Sequence, residues 1–135
     1  MAQDKELLLK DLCARLPYGV KMNHNADDSV CPSTLIGICK NMITLHNDGG
    51  YCTADLEDYK PYLLPMSSMT EEQKKEYNFW KHEVPVCHYE YGDVVEEIEL
   101  FDSPESFEYL IENHFDYRGL ITMGLAIDAT GLNIY

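Results

Sequence analysis

"TLIGICKNMITLHNDGGYCTA", residues 34–54, decides the fold class of this chain. Two apolar runs are broken by Asn47-Asp48-Gly49-Gly50, four turn-forming residues in succession. Asp and Gly tolerate the positive φ that tight hairpin turns demand, so the stretch predicts a hairpin within two or three short strands. Ile43 and Leu45 should then face residues near Tyr51 and Thr53. Just upstream, "YGVKMNH" (18–24) sets Tyr18, Val20 and Met22 against Gly19, Lys21 and Asn23, the alternation of a half-buried strand. The polar loop "NADDSVCPS" (25–33) joins the two.

Outward from this β-rich region the periodicity changes. Leu8, Leu12 and Leu16 recur every four residues, with Leu9 and Cys13 alongside. They predict a helix capped by Asp4 and ended by Pro17, with Lys5, Lys10 and Arg15 off its apolar stripe. "DLEDYKPYLLPMSS" reads as a connector that Pro61 and Pro65 keep extended or turned. Thr70 then opens a second helix with Gln73 as its capping-box partner. On that helix Gln73, Tyr77 and Trp80, continuing to Val84, form a narrow face whose burial comes mostly from Tyr77 and Trp80. "VPVCHYEYGDVVEEIEL" (84–100) reads as a second hairpin turning at Tyr91-Gly92-Asp93, with Glu96 interrupting its alternation. Ser103-Pro104-Glu105 starts a third helix, whose stripe is Phe107, Leu110, Ile111, His114 and Phe115. "LITMG" predicts one more helical turn closed by Gly124, and "LAI" a last short strand. The order implies a single α+β domain over 1–135. Its core is a small twisted antiparallel sheet or partial barrel of five or six strands, covered by three helices.

Composition narrows the function. Twenty-four acids against ten Lys and Arg give a formal net charge of −14, which repels phosphate backbones and anionic membrane surfaces. Direct nucleic-acid binding is therefore disfavoured, although an acidic mimic of DNA, acting against a host defence, stays open. Five irregularly spaced cysteines without C-x-x-C do not form a disulfide framework. The acidic N-terminus lacks the basic region of a signal peptide, and no stretch has the length of a membrane span. A cytoplasmic protein with reduced thiols is the expectation, with Cys13 and Cys39 in its core.

Signatures of catalysis are missing from the sequence: no G-x-S-x-G elbow, no phosphate-binding glycine loop and no H-E-x-x-H helix. No cofactor is implied. Among metal-ligating types only His24, Asp27, Asp28 and Cys31 share a loop, and their spacing fits no zinc motif. One polar cluster, His114, Asp116 and Arg118, could belong to a small enzyme's site. Its plainer reading is a hinge, with a cationic His114 favoured by the helix end and Asp116 and Arg118 pairing locally or capping free backbone. Aromatics in the middle third suggest a contact surface instead. Tyr59, Tyr62, Tyr77, Trp80, Tyr89 and Tyr91 are the candidates for a protein partner, because Tyr and Trp suit interfaces. A homo-oligomer stays open.

Three stretches, "LLLKDLCARLPYGVK", "KPYLLPMSSMTEEQKKEY" and "HFDYRGLITMGLAID", together resemble an uncharacterised family of small proteins. Its members occur in gut Bacteroidales bacteria, their prophages and other mobile elements. The resemblance covers the first 21 residues, Lys60 to Tyr77 and the last quarter of the chain. It implies a bacterial or phage cytoplasm and an accessory role, and assigns no catalytic residue. The reading is thus a non-enzymatic phage or mobile-element protein that acts by protein–protein binding.

Overall fold

The structure, a computed structural model, describes residues 2–25 and 32–135. Its first half runs α1 (Ala2–Arg15), a 3-10 turn (Leu16–Tyr18), β1 (Lys21–His24), β2 (Ser33–Cys39), β3 (Met42–Asn47), β4 (Gly50–Asp55) and β5 (Tyr59–Pro65). Its second half runs α2 (Glu71–Trp80), β6 (His82–Glu90), β7 (Asp93–Phe101), α3 (Pro104–Glu112), β8 (Phe115–Asp116) and β9 (Ile127–Asp128). The chain divides into two compact units, Met1–Ser68 with Ile111–Tyr135, and Met69–Leu110.

The first unit holds a sheet ordered β4-β3-β2-β1-β5-β8, with β9 also paired to β5. The fold is α+β. The sheet is mixed rather than antiparallel, because β8 and β9 both run parallel to β5, and it does not close into a barrel. Long connections rather than hairpins join β5 to β8 and β9, which is the condition for parallel pairing.

The hairpin at 47–50 forms where expected, with Leu45 opposite Cys52 and Ile43 opposite Ala54, each one residue from the expected neighbours Tyr51 and Thr53. Positive φ falls on Gly50 (103°), while the Asn47 side chain accepts a hydrogen bond from the Gly49 N–H at 2.8 Å. In β2 the register slips between Leu35 and Gly37, leaving Ile36 as an extra, exposed residue. That bulge returns Ile38 to the side of its partner Ile43, so "LIGI" puts both Leu35 and Ile38 against the core.

The "connector" YKPYLLP is a central strand. Pro61, Tyr62 and Leu63 are all buried, as befits a strand covered on both faces. Pro61 occupies the end of the β1 ladder, opposite Met22, where a missing N–H costs least.

Helix α1 docks through Leu8 and Leu12, which join Val20, Met22, Leu45 and Leu63 in one core. Its buried stripe also includes Asp11 and Arg15, both fully buried, against the expectation that Arg15 faces solvent. Cys13 lies one residue off that stripe and is exposed; Cys39 ends β2 and is exposed too, so neither is a core residue. The four described cysteines, Cys13, Cys39, Cys52 and Cys87, are free thiols.

In the second unit Thr70 and Gln73 form the capping box read from the sequence. A second reciprocal cap opens α3, where Ser103 and Ser106 each accept the other's backbone N–H at 2.7 and 3.0 Å. The buried side of α3 carries Ser106, Tyr109 and Leu110, while Phe107 is exposed.

Neighbouring positions on α1 should therefore behave in opposite ways. Leu12→Ala should cost about 2–5 kcal/mol and Cys13→Ala less than about 0.5 kcal/mol. Urea unfolding of the two variants checks this.

Candidate functional site

The three residues of the polar cluster do not converge on one point. His114 is not on the α3 stripe, because the helix ends at Glu112 and His114 adopts φ 64°, the left-handed conformation of a helix terminator. Its ring stacks on that of Tyr135, with centroids 3.5 Å apart. Burial, with Arg15 and Lys21 as neighbouring cations, lowers the His114 pKa to about 4. The ring is thus neutral near pH 7, and the helix-end imidazolium expected from the sequence is overruled.

Asp116 serves the backbone. Its carboxylate accepts from the N–H groups of Leu120 and Ile121 at 2.8 and 2.9 Å. The turn it opens is closed by Leu125 N–H to Leu120 C=O and Gly124 N–H to Ile121 C=O, with Gly124 at φ 78°. This pair of bonds is a Schellman-type closure. The left-handed Gly124 expected for "LITMG" is present, on a hydrogen-bonded turn rather than a helical one.

Arg118 pairs with Asp11 rather than Asp116, Nε to Oδ1 at 3.1 Å. The same carboxylate receives Arg15 Nε on Oδ2 at 2.7 Å, and Arg15 Nη2 donates to the Phe115 carbonyl at 2.6 Å. The Tyr117 ring has the Arg118 guanidinium 4.9 Å and the Arg15 guanidinium 5.8 Å from its centre. Arg15 Nη1 and His114 Nδ1 are buried without a hydrogen-bond partner among the described residues. Each of the three side chains is thus engaged separately, His114 with the Tyr135 ring, Asp116 with backbone N–H groups and Arg118 with Asp11.

A cleft of about 530 Å³ lies at the first turn of α1, with Leu8, Leu56 and Leu125 among its apolar lining. At its rim Lys5 and Glu57 pair with each other at 2.5 Å, and the ammonium holds the carboxylate below its usual range. Among the described residues no group of three His, Cys, Asp or Glu is placed to hold a metal ion. Asp27, Asp28 and Cys31 of the loop cluster lie outside the described residues.

The aromatic candidates separate. Tyr62 is 1% exposed and belongs to the interior, and half-buried Tyr59 meets His24 edge to face. Tyr77 is half-buried and donates to Asp102 at 2.5 Å, and its ring stacks near Tyr109, which donates to Glu76. Trp80 is exposed, contrary to its expected burial, and packs edge to face with Phe79, an exposed aromatic that periodicity did not single out. Tyr89 and Tyr91 are exposed on the β6–β7 hairpin.

That hairpin carries a feature the aromatic count missed. Its register sets Pro85, Cys87 and Tyr89 beside Val94, Ile98 and Leu100 on one face, interrupted by Glu83 and Glu96. Tyr89, Val94, Ile98 and Leu100 are 81, 62, 69 and 44% exposed. The signal was present in the alternation of Val94, Glu96 and Ile98, but nothing in sequence said that this face would be left uncovered. Comparison with family models, curated proteins and solved structures finds no match to the chain.

Two outcomes follow for the polar cluster. Asp11→Ala leaves buried Arg15 unpaired and should cost about 3–5 kcal/mol, whereas Arg118→Met should cost about 1 kcal/mol, both read by urea unfolding. Unfolding frees His114 to take up a proton between about pH 4, its folded value, and its ordinary 6.5. Stability therefore falls as pH drops through that window. His114→Phe keeps a stacking ring, and its urea midpoint should fall less than wild type's over the same pH range.

Proposed function

We propose that this protein is non-enzymatic and acts by binding another protein through the apolar face of its β6–β7 hairpin. The observation that carries the reading is the exposed row Tyr89, Val94, Ile98 and Leu100 on a sheet of only two strands. A lone hairpin is marginal in water, and an exposed apolar face on one is a common mark of a contact surface. Tyr91 at the hairpin turn extends that surface, whereas Tyr62 and Tyr77 do not contribute to it.

The polar cluster supports the same reading from the other side, since His114, Asp116 and Arg118 are each engaged in packing, capping or ion pairing. In the setting that the family resemblance implies, a bacterial or phage cytoplasm, such a protein is an accessory factor that modifies a partner by occupying it.

Affinity capture from bacterial lysate at low and high salt, comparing wild type with a Val94→Ser/Ile98→Ser variant, tests the reading. A stoichiometric partner should persist at both salts and be lost from the variant, with the variant's unfolding midpoint unchanged. Equal capture by the variant would refute the assignment of the surface. A nucleic-acid-processing partner released by salt would instead establish the DNA-mimic reading.

A further inference from the structure

We propose that the outer edge of β7 takes a strand from the partner, one in which apolar residues alternate with Lys or Arg. The inference rests on the hairpin being the contact surface and names how, and with what chemistry, it is used.

The two-residue turn Tyr91-Gly92 has φ of 53° and 85°, both left-handed, and closes on the pair Glu90–Asp93. In such hairpins the closing pair is hydrogen-bonded, and bonded and non-bonded pairs alternate away from it. Glu83, Pro85, Cys87 and Tyr89 on β6, and Val94, Glu96, Ile98 and Leu100 on β7, fall in the non-bonded pairs. Their backbone groups point to the outer edges. On β6, Pro85 removes one outward N–H, so that edge is blunted. On β7 all four outward positions keep their N–H, and the sheet has no third strand. No backbone hydrogen bond leaves these four residues for another described segment. Of the devices that usually protect an edge, β7 has neither Pro nor a register slip and relies on charge alone, the acids Asp93, Glu96, Glu97 and Glu99.

Charge selects the occupant. Residues 82–101 contain six Asp and Glu and no Lys or Arg. An added strand lays side chains beside Val94, Glu96, Ile98 and Leu100 on one face, three of them apolar, and beside Asp93, Val95, Glu97, Glu99 and Phe101 on the other, three of them acidic. Apolar residues suit the first row and cations the second, because directly neighbouring side chains on a sheet face interact. A second β7 would bring four more acids and no base, so a second copy of this chain is the wrong occupant. Main-chain bonds along an open edge with side-chain selection on alternate positions is strand addition.

The full chain, ¹⁵N-labelled, is titrated with an acetylated decapeptide alternating lysine and valine. Controls are a peptide of the same composition with its lysines and valines in separate blocks, and a peptide alternating glutamate and valine. The alternating lysine peptide should slow amide exchange at Val94, Glu96, Ile98 and Leu100 by about tenfold or more, with neither control doing so. Glu96→Pro removes one outward N–H and should abolish the effect while ladder protection at Val95 and Glu97 persists; Glu96→Gln should retain it. Glu97→Lys with Glu99→Lys should shift the preference to the glutamate peptide. Equal protection by the blocked peptide, protection surviving in Glu96→Pro, or no protection by any peptide overturns the proposal. Lysate capture separates this failure from that of the contact surface. A partner kept by Glu96→Pro but lost by Val94→Ser/Ile98→Ser sinks strand addition alone, and a partner kept by both sinks the surface itself.

Discussion

One carboxylate, Asp11, binds two guanidiniums inside the first unit, and the placement of the C-terminal quarter depends on it. Arg15 comes from the same helix, one turn on, while Arg118 comes from a segment 107 residues away in sequence. Arg15 continues to the carbonyl of Phe115, at the start of β8. The helix that covers the sheet is thereby tied to the strand that extends it. A buried ion network adds little net stability, because desolvation offsets most of the Coulomb gain. What it does enforce is a penalty on any arrangement that leaves the buried charges apart.

From that anchor the rest of the C-terminal segment follows in short range steps. Asp116, two residues before Arg118, caps a single turn whose termination at Gly124 directs the chain back into β9. The chain then reaches Tyr135, whose hydroxyl donates to the Tyr62 carbonyl and accepts from the Lys21 N–H while its ring covers His114. Residues that resemble a catalytic group by type are thus engaged in holding the segment. Burial first, and then the neighbouring Arg15 and Lys21 cations, oppose a positive charge on His114.

The second unit contrasts with this. Its helices carry complete caps, and Tyr77, Asp102, Ser103 and Ser106 connect α2 to the start of α3. Its hairpin has an uninterrupted register yet leaves nearly every side chain exposed, with only Val86 and Val95 partly covered. Regular backbone with an uncovered apolar row and an open edge is what a surface needs if another chain is to complete it.

Local chemistry by itself determined the turns, caps and terminators: Asn47 to Gly50, the Thr70–Gln73 box, Ser103-Pro104 and Gly124. Each depends on groups a few residues apart, so the sequence displays both partners. The α+β class followed from their order and from the change between period-two and helical patterns. Four features were decided only in three dimensions. Arg15 lies off the apolar stripe in the sequence. Its burial depends on the Phe115 carbonyl, which comes from 100 residues further along the chain, and on Arg118, which shares Asp11 from 107 residues away. YKPYLLP looked like a connector because its proline-containing ladder is made with β1, β8 and β9, none adjacent in sequence. Boundaries of the second unit near 69 and 110 coincide with no linker composition. And the alternation of Val94, Glu96, Ile98 and Leu100 shows which residues share a face, while whether that face is covered depends on what the remaining chain brings to it.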